Sequence, residues 1–210
     1  MHYTISSTSE YTYSDQGSRF ITFACPAAGE NEISENLDHY RNLYPDATHH
    51  CYAWRITPAQ PQEFANDDGE PSGTAGQPIL NEIKSQNLIN IVIIVVRYFG
   101  GIKLGKPGLI HAYRTSAKSC LENAKIIPIH HVRNLKITFP YSEQKMLDQL
   151  NRKYGFIKAG ETYLADVTWE IICPEDTSAN LLSELEHQKH RGIITEDLGS
   201  SYEAINPNTG

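Results

Sequence analysis

Asn90-Ile91-Val92-Ile93-Ile94-Val95-Val96-Arg97-Tyr98-Phe99-Gly100-Gly101-Ile102-Lys103-Leu104-Gly105-Lys106-Pro107-Gly108 is the stretch on which the fold turns. Its first half is β-branched and apolar at successive positions, the pattern of a central strand buried on both faces. A glycine-rich connection follows. Leu109, Ala112, Tyr113, Ser116 and Cys120 then recur at helical spacing to about Asn123, with Pro107 suited to the first helical position. The same spacing leaves His111, Arg114 and Lys118 on an outer stripe.

Working toward the N-terminus, residues 11–15 and 19–24 alternate around Gln16-Gly17-Ser18 and predict a hairpin. Ile33, Leu37, Tyr40 and Tyr44 predict a helix capped at Asn31 and ended before Pro45, followed by a strand over 48–56. Residues 57–76 are rich in Pro, Gly, Asp and Gln and read as a long loop, which marks them as a candidate site. Ile79, Leu80 and Ile83 predict a short helix after it. Toward the C-terminus, a short strand over 125–129 precedes a second complete pattern. This has a strand at 135–139, a helix at 142–154, strands at 156–162 and 166–173, a helix at 176–189 and a strand at 193–198. That order is βαββαβ, the ferredoxin-like arrangement. The fold class is therefore α+β with two domains, 1–132 and 133–210, and the last six or so residues read as frayed.

The 210 residues carry 18 Lys and Arg against 25 Asp and Glu, a net charge of −7, which disfavours a surface that attracts nucleic acid everywhere. The distribution is uneven. From Ile83 to Leu121 stand Lys84, Arg97, Lys103, Lys106, Arg114 and Lys118 with no carboxylate, while Asp67, Asp68 and Glu70 crowd upstream. The longest aliphatic run, Ile91 to Val96, is far short of the roughly 20 residues that cross a bilayer as a helix. No secretory signal is read at the N-terminus, so a cytoplasmic address is expected. Cys25, Cys51, Cys120 and Cys173 form no Cys-x-x-Cys pair, which argues against a zinc ribbon or a disulfide scaffold.

Gly100-x-x-x-x-Gly105-Lys106 matches a phosphate loop except that Pro107 stands where a Ser or Thr would bind magnesium. A nucleotide hydrolase is disfavoured on that ground. Two readings stay open: the loop holds a phosphate with Arg97, Lys103 and Lys106 nearby, or Gly100, Gly101 and Gly105 only supply positive φ angles in a tight turn. Asp67-Asp68-Gly69-Glu70 lacks the spacing of a calcium loop and reads as an acidic turn. In the following Pro71-Ser72-Gly73-Thr74-Ala75-Gly76, Ser72 or Thr74 is expected to cap the next helix. His49-His50-Cys51 lies in a strand, where neighbours point to opposite faces, so it is a poor metal site. Without an orienting third group, Cys51 is no clear nucleophile. No catalytic residue, metal or cofactor is assigned.

Two linked segments, 67–76 and 96–105 (Val96-Arg97-Tyr98-Phe99-Gly100-Gly101-Ile102-Lys103-Leu104-Gly105), together with His49-His50-Cys51-Tyr52-Ala53, make the chain resemble bacterial members of the IMPACT family. The resemblance implies an N-terminal domain similar to the second domain of ribosomal protein S5 and a C-terminal one like the last domain of elongation factor G. Both are associated with RNA and ribosomes. Eukaryotic relatives carry an extra domain not seen in these residues and act in translational control through a kinase pathway that bacteria lack. The sequence departs from the family pattern after Gly105. Thr-Gly-Gly-Leu and a basic residue before Ala-Tyr are expected there, and Lys106-Pro107-Gly108-Leu109 and His111 stand instead.

These observations predict a non-enzymatic, RNA- or ribosome-associated protein acting near translation. It is expected to hold phosphate backbone through Arg97, Lys103, Lys106, Arg114 and Lys118. The alternative is a nucleotide- or phosphate-binding enzyme using loops 67–76 and 99–108 as one pocket, with Asp67, Asp68, Gly69, Glu70, Ser72, Gly73, Thr74, Gly76, Gly100, Gly101 and Gly105 in the signature loops. A protein partner is a third reading. No membrane partner is expected. The two loops are expected to be neighbours, since a parallel or mixed sheet gathers such loops at the carboxyl ends of its strands, and Asp67, Asp68 and Glu70 should then lie close to Arg97 or Lys103.

Overall fold

The structure is a computed structural model and describes residues 2–205; the end expected to fray falls almost wholly outside them. The chain forms two compact units that divide between Ile129 and His130, the first also taking in Ala204.

In the first unit, β2 (Ser9–Asp15), β3 (Ser18–Pro26), β4 (His49–Ile56), β5 (Gln62–Asn66) and β6 (Ile91–Tyr98) form one sheet, while β1 (His2–Ile5) pairs with the start of β7 (Ile126–Phe139). The sheet order is β2-β3-β6-β4-β5 and every pairing is antiparallel. Helix α1 (Glu30–Leu43) covers one face; α2 (Gly76–Ser85) and α3 (Gly105–Glu122) cover the other.

The two-residue side-chain period of β6 builds both cores. Ile91, Ile93 and Val95 pack with Ile79, Ile83, Leu109 and Ala112 of α2 and α3, whereas Val92, Ile94 and Val96 pack with Ile33, Leu37 and Tyr40 of α1. At the tip of the β2–β3 hairpin, Gln16 and Gly17 both adopt positive φ, 44° and 80°, the requirement of a two-residue type I′ turn.

The second unit adds α4 (Gln144–Tyr154), β8 (Ile157–Tyr163), β9 (Val167–Pro174), α5 (Glu175–His187) and β10 (Ile194–Ala204) to the later part of β7. Their order along the chain is βαββαβ, and in the sheet β10-β7-β9-β8. Leu135, Ile137, Phe139 and Trp169 meet Leu147 and Leu181 in its core.

Several local expectations need correction. The strands expected at 125–129 and 135–139 are one continuous strand, β7; His130 and His131 are both exposed, so the in-out alternation that would have joined them breaks in the middle. The N-cap of α1 is Gly29, with Asn31 exposed inside the helix; Glu32 reaches back to accept a hydrogen bond at 2.6 Å from the N–H of Ala28, the residue before the cap. Strands β1 and β5 lie in stretches where no strand was expected.

Candidate functional site

Strands β5 and β6 are both antiparallel to the strand between them, so they run in the same direction. Their carboxyl ends therefore emerge at the same end of the sheet, which brings loops 67–75 and 99–104 together without the parallel sheet such gathering usually needs. Strand β3 starts there too: Arg19 stands opposite Tyr98, and His49 opposite Arg97. Alternation then puts Ser18, His49, Cys51 and Arg97 on the α3 side of the sheet end.

Asp67 is the brace of the first loop. Its carboxylate accepts from the N–H groups of Gly73, Ala75 and Gly76 at 2.8, 3.0 and 2.9 Å, which fixes the start of α2. Neither residue expected to cap α2 does so: Ser72 is exposed, and the Thr74 hydroxyl donates to the Pro71 carbonyl. Asp68 accepts from the His50 N–H at 2.6 Å. Its carbonyl lies 2.7 Å from His49 Nδ1, which must carry the proton because a carbonyl only accepts. Gly76 is required by close approach: a Cβ there would fall 2.6 Å from the backbone nitrogen of Asn66.

Beneath the loops lies a buried polar cluster. Glu70 Oε1 accepts from Arg97 at 2.5 Å and from the Tyr113 hydroxyl at 2.8 Å, and His49 Nε2 is 3.9 Å away. Arg97 also donates to the Ser18 hydroxyl at 3.3 Å, and Ser18 in turn accepts from the Gly100 N–H, tying the second loop to the hairpin tip. Of the three acids, then, Glu70 alone pairs with Arg97, while Asp67 and Asp68 hold backbone. Cys51 donates to the Tyr113 hydroxyl at 3.2 Å. Burial pushes both the Cys51 thiol and the Tyr113 phenol well above their ordinary values, so each keeps its proton at neutral pH.

His50, whose Nε2 is buried without a hydrogen-bond partner among the described residues, is held below its ordinary value of 6.5 by burial. The unfolded chain therefore takes up a proton before the folded one does. Stability is expected to be fully present above about pH 6.5 and to fall as pH drops toward the folded value, the direction linkage gives for a depressed group. Urea titrations at several pH values check this, with His50→Gln expected to flatten the dependence.

Above the cluster is a cleft of about 370 Å³, lined by Glu70, Pro71, Arg97, Phe99, Lys103, Leu104, Gly105, Lys106 and Leu109. It is the meeting place of the two loops. The basic segment itself is largely neutralised by carboxylates. Lys84 pairs with Glu63 at 2.6 Å, Arg97 with Glu70, Arg114 with Glu82 at 2.7 Å, and Lys118 lies 3.9 Å from Glu122. Lys103 and Lys106 have no such partner among the described residues and are exposed. Arg114 lines a separate depression between α2 and α3, away from the cleft.

The Impact N-terminal domain matches residues 16–121, which spans the whole of this site. The chain belongs to the IMPACT family. It is similar to the IMPACT family member YvyE of Bacillus subtilis, 32% identical over 87% of this chain and 84% of that protein. It is also similar to the IMPACT family member in the pol 5′ region of Thermus thermophilus, 40% identical over 72% and 80% of the two chains. The crystal structure of a hypothetical protein superimposes with a TM-score of 0.67 at 25% identity, covering 99% of this chain and 98% of that one.

In this IMPACT protein the segments 67–76 and 96–105 thus form two walls of one cleft, and Gly69, Gly73, Gly101 and Gly105 hold their turns with φ of 87°, 76°, 88° and 68°. Among the described residues, no group of three or more His, Cys, Asp and Glu side chains is arranged to hold a metal. Ser18 and Tyr113 belong to the site but were not assigned to it from the sequence, whereas His49 stood in the His49–Ala53 signature and Phe99 in the loop 99–108. For Ser18 and Tyr113 the available signal was the period of strand and helix, which places them facing inward at the same end.

Proposed function

We propose that this IMPACT-family protein works near translation as a non-enzymatic, cytoplasmic binder of RNA or the ribosome, holding phosphate at the mouth of the cleft. One observation supports the reading above the rest. Among the cations of the carboxylate-free segment, Lys103 and Lys106 lack a carboxylate partner among the described residues, and both line the junction of the two signature loops. Unpaired lysines beside a concave site attract phosphate, whereas a cation already paired gains little by exchanging one anion for another. The phosphate contact therefore narrows to this pair, with Arg97 fixing the floor beneath it, and Arg114 and Lys118 leave the site.

The same reading includes a first domain like the second domain of ribosomal protein S5, a second domain like the last domain of elongation factor G, and a boundary near Val132. The helix-covered antiparallel sheet and the βαββαβ order are compatible with those likenesses. An enzyme at the same loops gains no support from the cluster beneath them, where burial keeps Cys51 and Tyr113 protonated.

The test is binding of short single-stranded RNA at low salt. The Lys103→Ala/Lys106→Ala variant should lose about tenfold or more in affinity, and Arg114→Ala/Lys118→Ala much less. Absence of binding, or equal losses in the two variants, overturns the assignment; a protein recovered in place of RNA would point to the interaction-module reading.

A further inference from the structure

We propose that the cleft recognises one ribonucleotide unit, with its base on Phe99, its phosphate on Lys103 and Lys106, and a ribose hydroxyl on Glu70. The inference rests on the proposed phosphate contact and adds the chemistry of the rest of the ligand.

Phe99 is 47% exposed although it lines the cleft. Its ring has one fixed neighbour. The Arg97 guanidinium carbon lies 5.6 Å from the ring centroid, and Arg97 is itself fixed by Glu70 and Ser18. An exposed aromatic ring beside lysines is a stacking platform, which any base can use because every base has a π-face. The wall beside it, Pro71, Leu104 and Leu109, is apolar and suits a flat ring better than a bare phosphate.

Glu70 decides between nucleotide types. Beyond neutralising Arg97, a carboxylate at the cleft repels a bare phosphate. Here Oε1 is engaged by Arg97 and Tyr113, and among the described residues no hydrogen bond reaches Oε2, although Glu70 is among the cleft residues. A carboxylate oxygen only accepts, so the ligand group that meets it must be a donor. The ribose 2′-hydroxyl is a donor adjacent to both base and phosphate, and it is the group that separates RNA from DNA. The cleft volume of about 370 Å³ falls in the range of small-ligand sites, about 300–1,000 Å³.

A free ribonucleotide and an unpaired strand present the same chemistry, so the experiment uses both. Fluorescence anisotropy would compare single-stranded RNA with DNA of the same sequence, and calorimetry would compare adenosine monophosphate with its 2′-deoxy form, for the wild type, Phe99→Ala and Glu70→Gln. Preference for the ribose form by about five-fold or more, with a similar loss in Phe99→Ala, is expected; Glu70→Gln, whose amide can still meet a hydroxyl but without the charge, should reduce the preference. A preference seen with the strand alone assigns the site to RNA, and one seen with the mononucleotide as well assigns it to the free unit too. If Glu70→Gln does not fold, the wild-type ratio and Phe99→Ala still decide, since Phe99 lies at the surface. Equal binding of ribose and deoxyribose forms overturns the ribonucleotide site and leaves the phosphate contact standing; no binding of any of them overturns both.

Discussion

Replacing Arg97 by methionine is expected to cost about 3–5 kcal/mol of stability, because it leaves the Glu70 carboxylate buried with its countercharge removed. The side chains of Arg97 and Glu70 are 6% and 4% exposed, so water compensates little for the loss. For a chain of this size the melting temperature should fall by roughly 10 °C. The double variant Arg97→Met/Glu70→Leu should recover much of that loss, since removing both charges leaves no uncompensated ion. Urea denaturation of the three proteins measures the effect, and a single variant as stable as the wild type would show that the pair is not buried in solution. The result also governs how charge reversal is read. Arg97→Glu places two carboxylates together in the core, so loss of RNA binding in that variant would report unfolding. Lys103 and Lys106 are exposed, and substitutions there test binding with the fold intact.

Gly100→Ala is expected to be the most damaging change to the second loop, at about 3 kcal/mol. A Cβ at this position would lie 1.9 Å from the carbonyl carbon of Gly17 and 2.3 Å from the nitrogen of Ser18. Both are backbone atoms of the hairpin tip, so no side chain can rotate away. The loop would have to separate from the hairpin, losing the Gly100 N–H to Ser18 hydrogen bond that helps seat Arg97. Gly101→Ala is the control: its φ is 88° but nothing lies within 4 Å of the added carbon, so only backbone strain of about 1–2 kcal/mol is expected. Thermal melts of the two variants compare clash with strain at adjacent positions, and equal losses would contradict the contact with Gly17.

The parts of the fold that were legible in the sequence are those whose pattern is local. Ile91 to Val96 is apolar at every position because β6 has helices on both faces, and the inward spacing of Leu109, Ala112, Tyr113, Ser116 and Cys120 survives intact in α3. The order of elements after residue 133 was also readable, since each begins or ends at a Pro, Gly or polar turn. Strand β5 was not, because Gln62-Glu63-Phe64-Ala65-Asn66 is an edge strand largely open to solvent and has no apolar alternation to betray it. The cap of α2 was missed for a different reason: Asp67 reaches the helix start from eight or nine residues upstream, beyond the local spacing of a capping residue.

The site was legible in outline and misleading in charge. The glycines and acids marked both loops, and the structure brings them together. Yet the carboxylate-free run from Ile83 to Leu121 read as a basic face because three of its four paired cations meet carboxylates remote from them in sequence, and the fourth, Lys118, meets Glu122 just beyond the run. Glu63 is 21 residues from Lys84, Glu70 is 27 from Arg97, and Glu82 is 32 from Arg114. Pairing across a fold is a three-dimensional property, and local charge counts cannot register it.

The most direct measurement of the central claim is the salt dependence of RNA affinity. Each phosphate neutralised on a single strand contributes about 0.7 to the slope of log affinity against log salt. If Lys103 and Lys106 are the contact, the wild type binds at low salt, weakens steeply as salt rises, and the slope of Lys103→Ala/Lys106→Ala is shallower by about 1.4. A slope unchanged by the double substitution, with RNA still bound, would place the contact elsewhere and contradict the account.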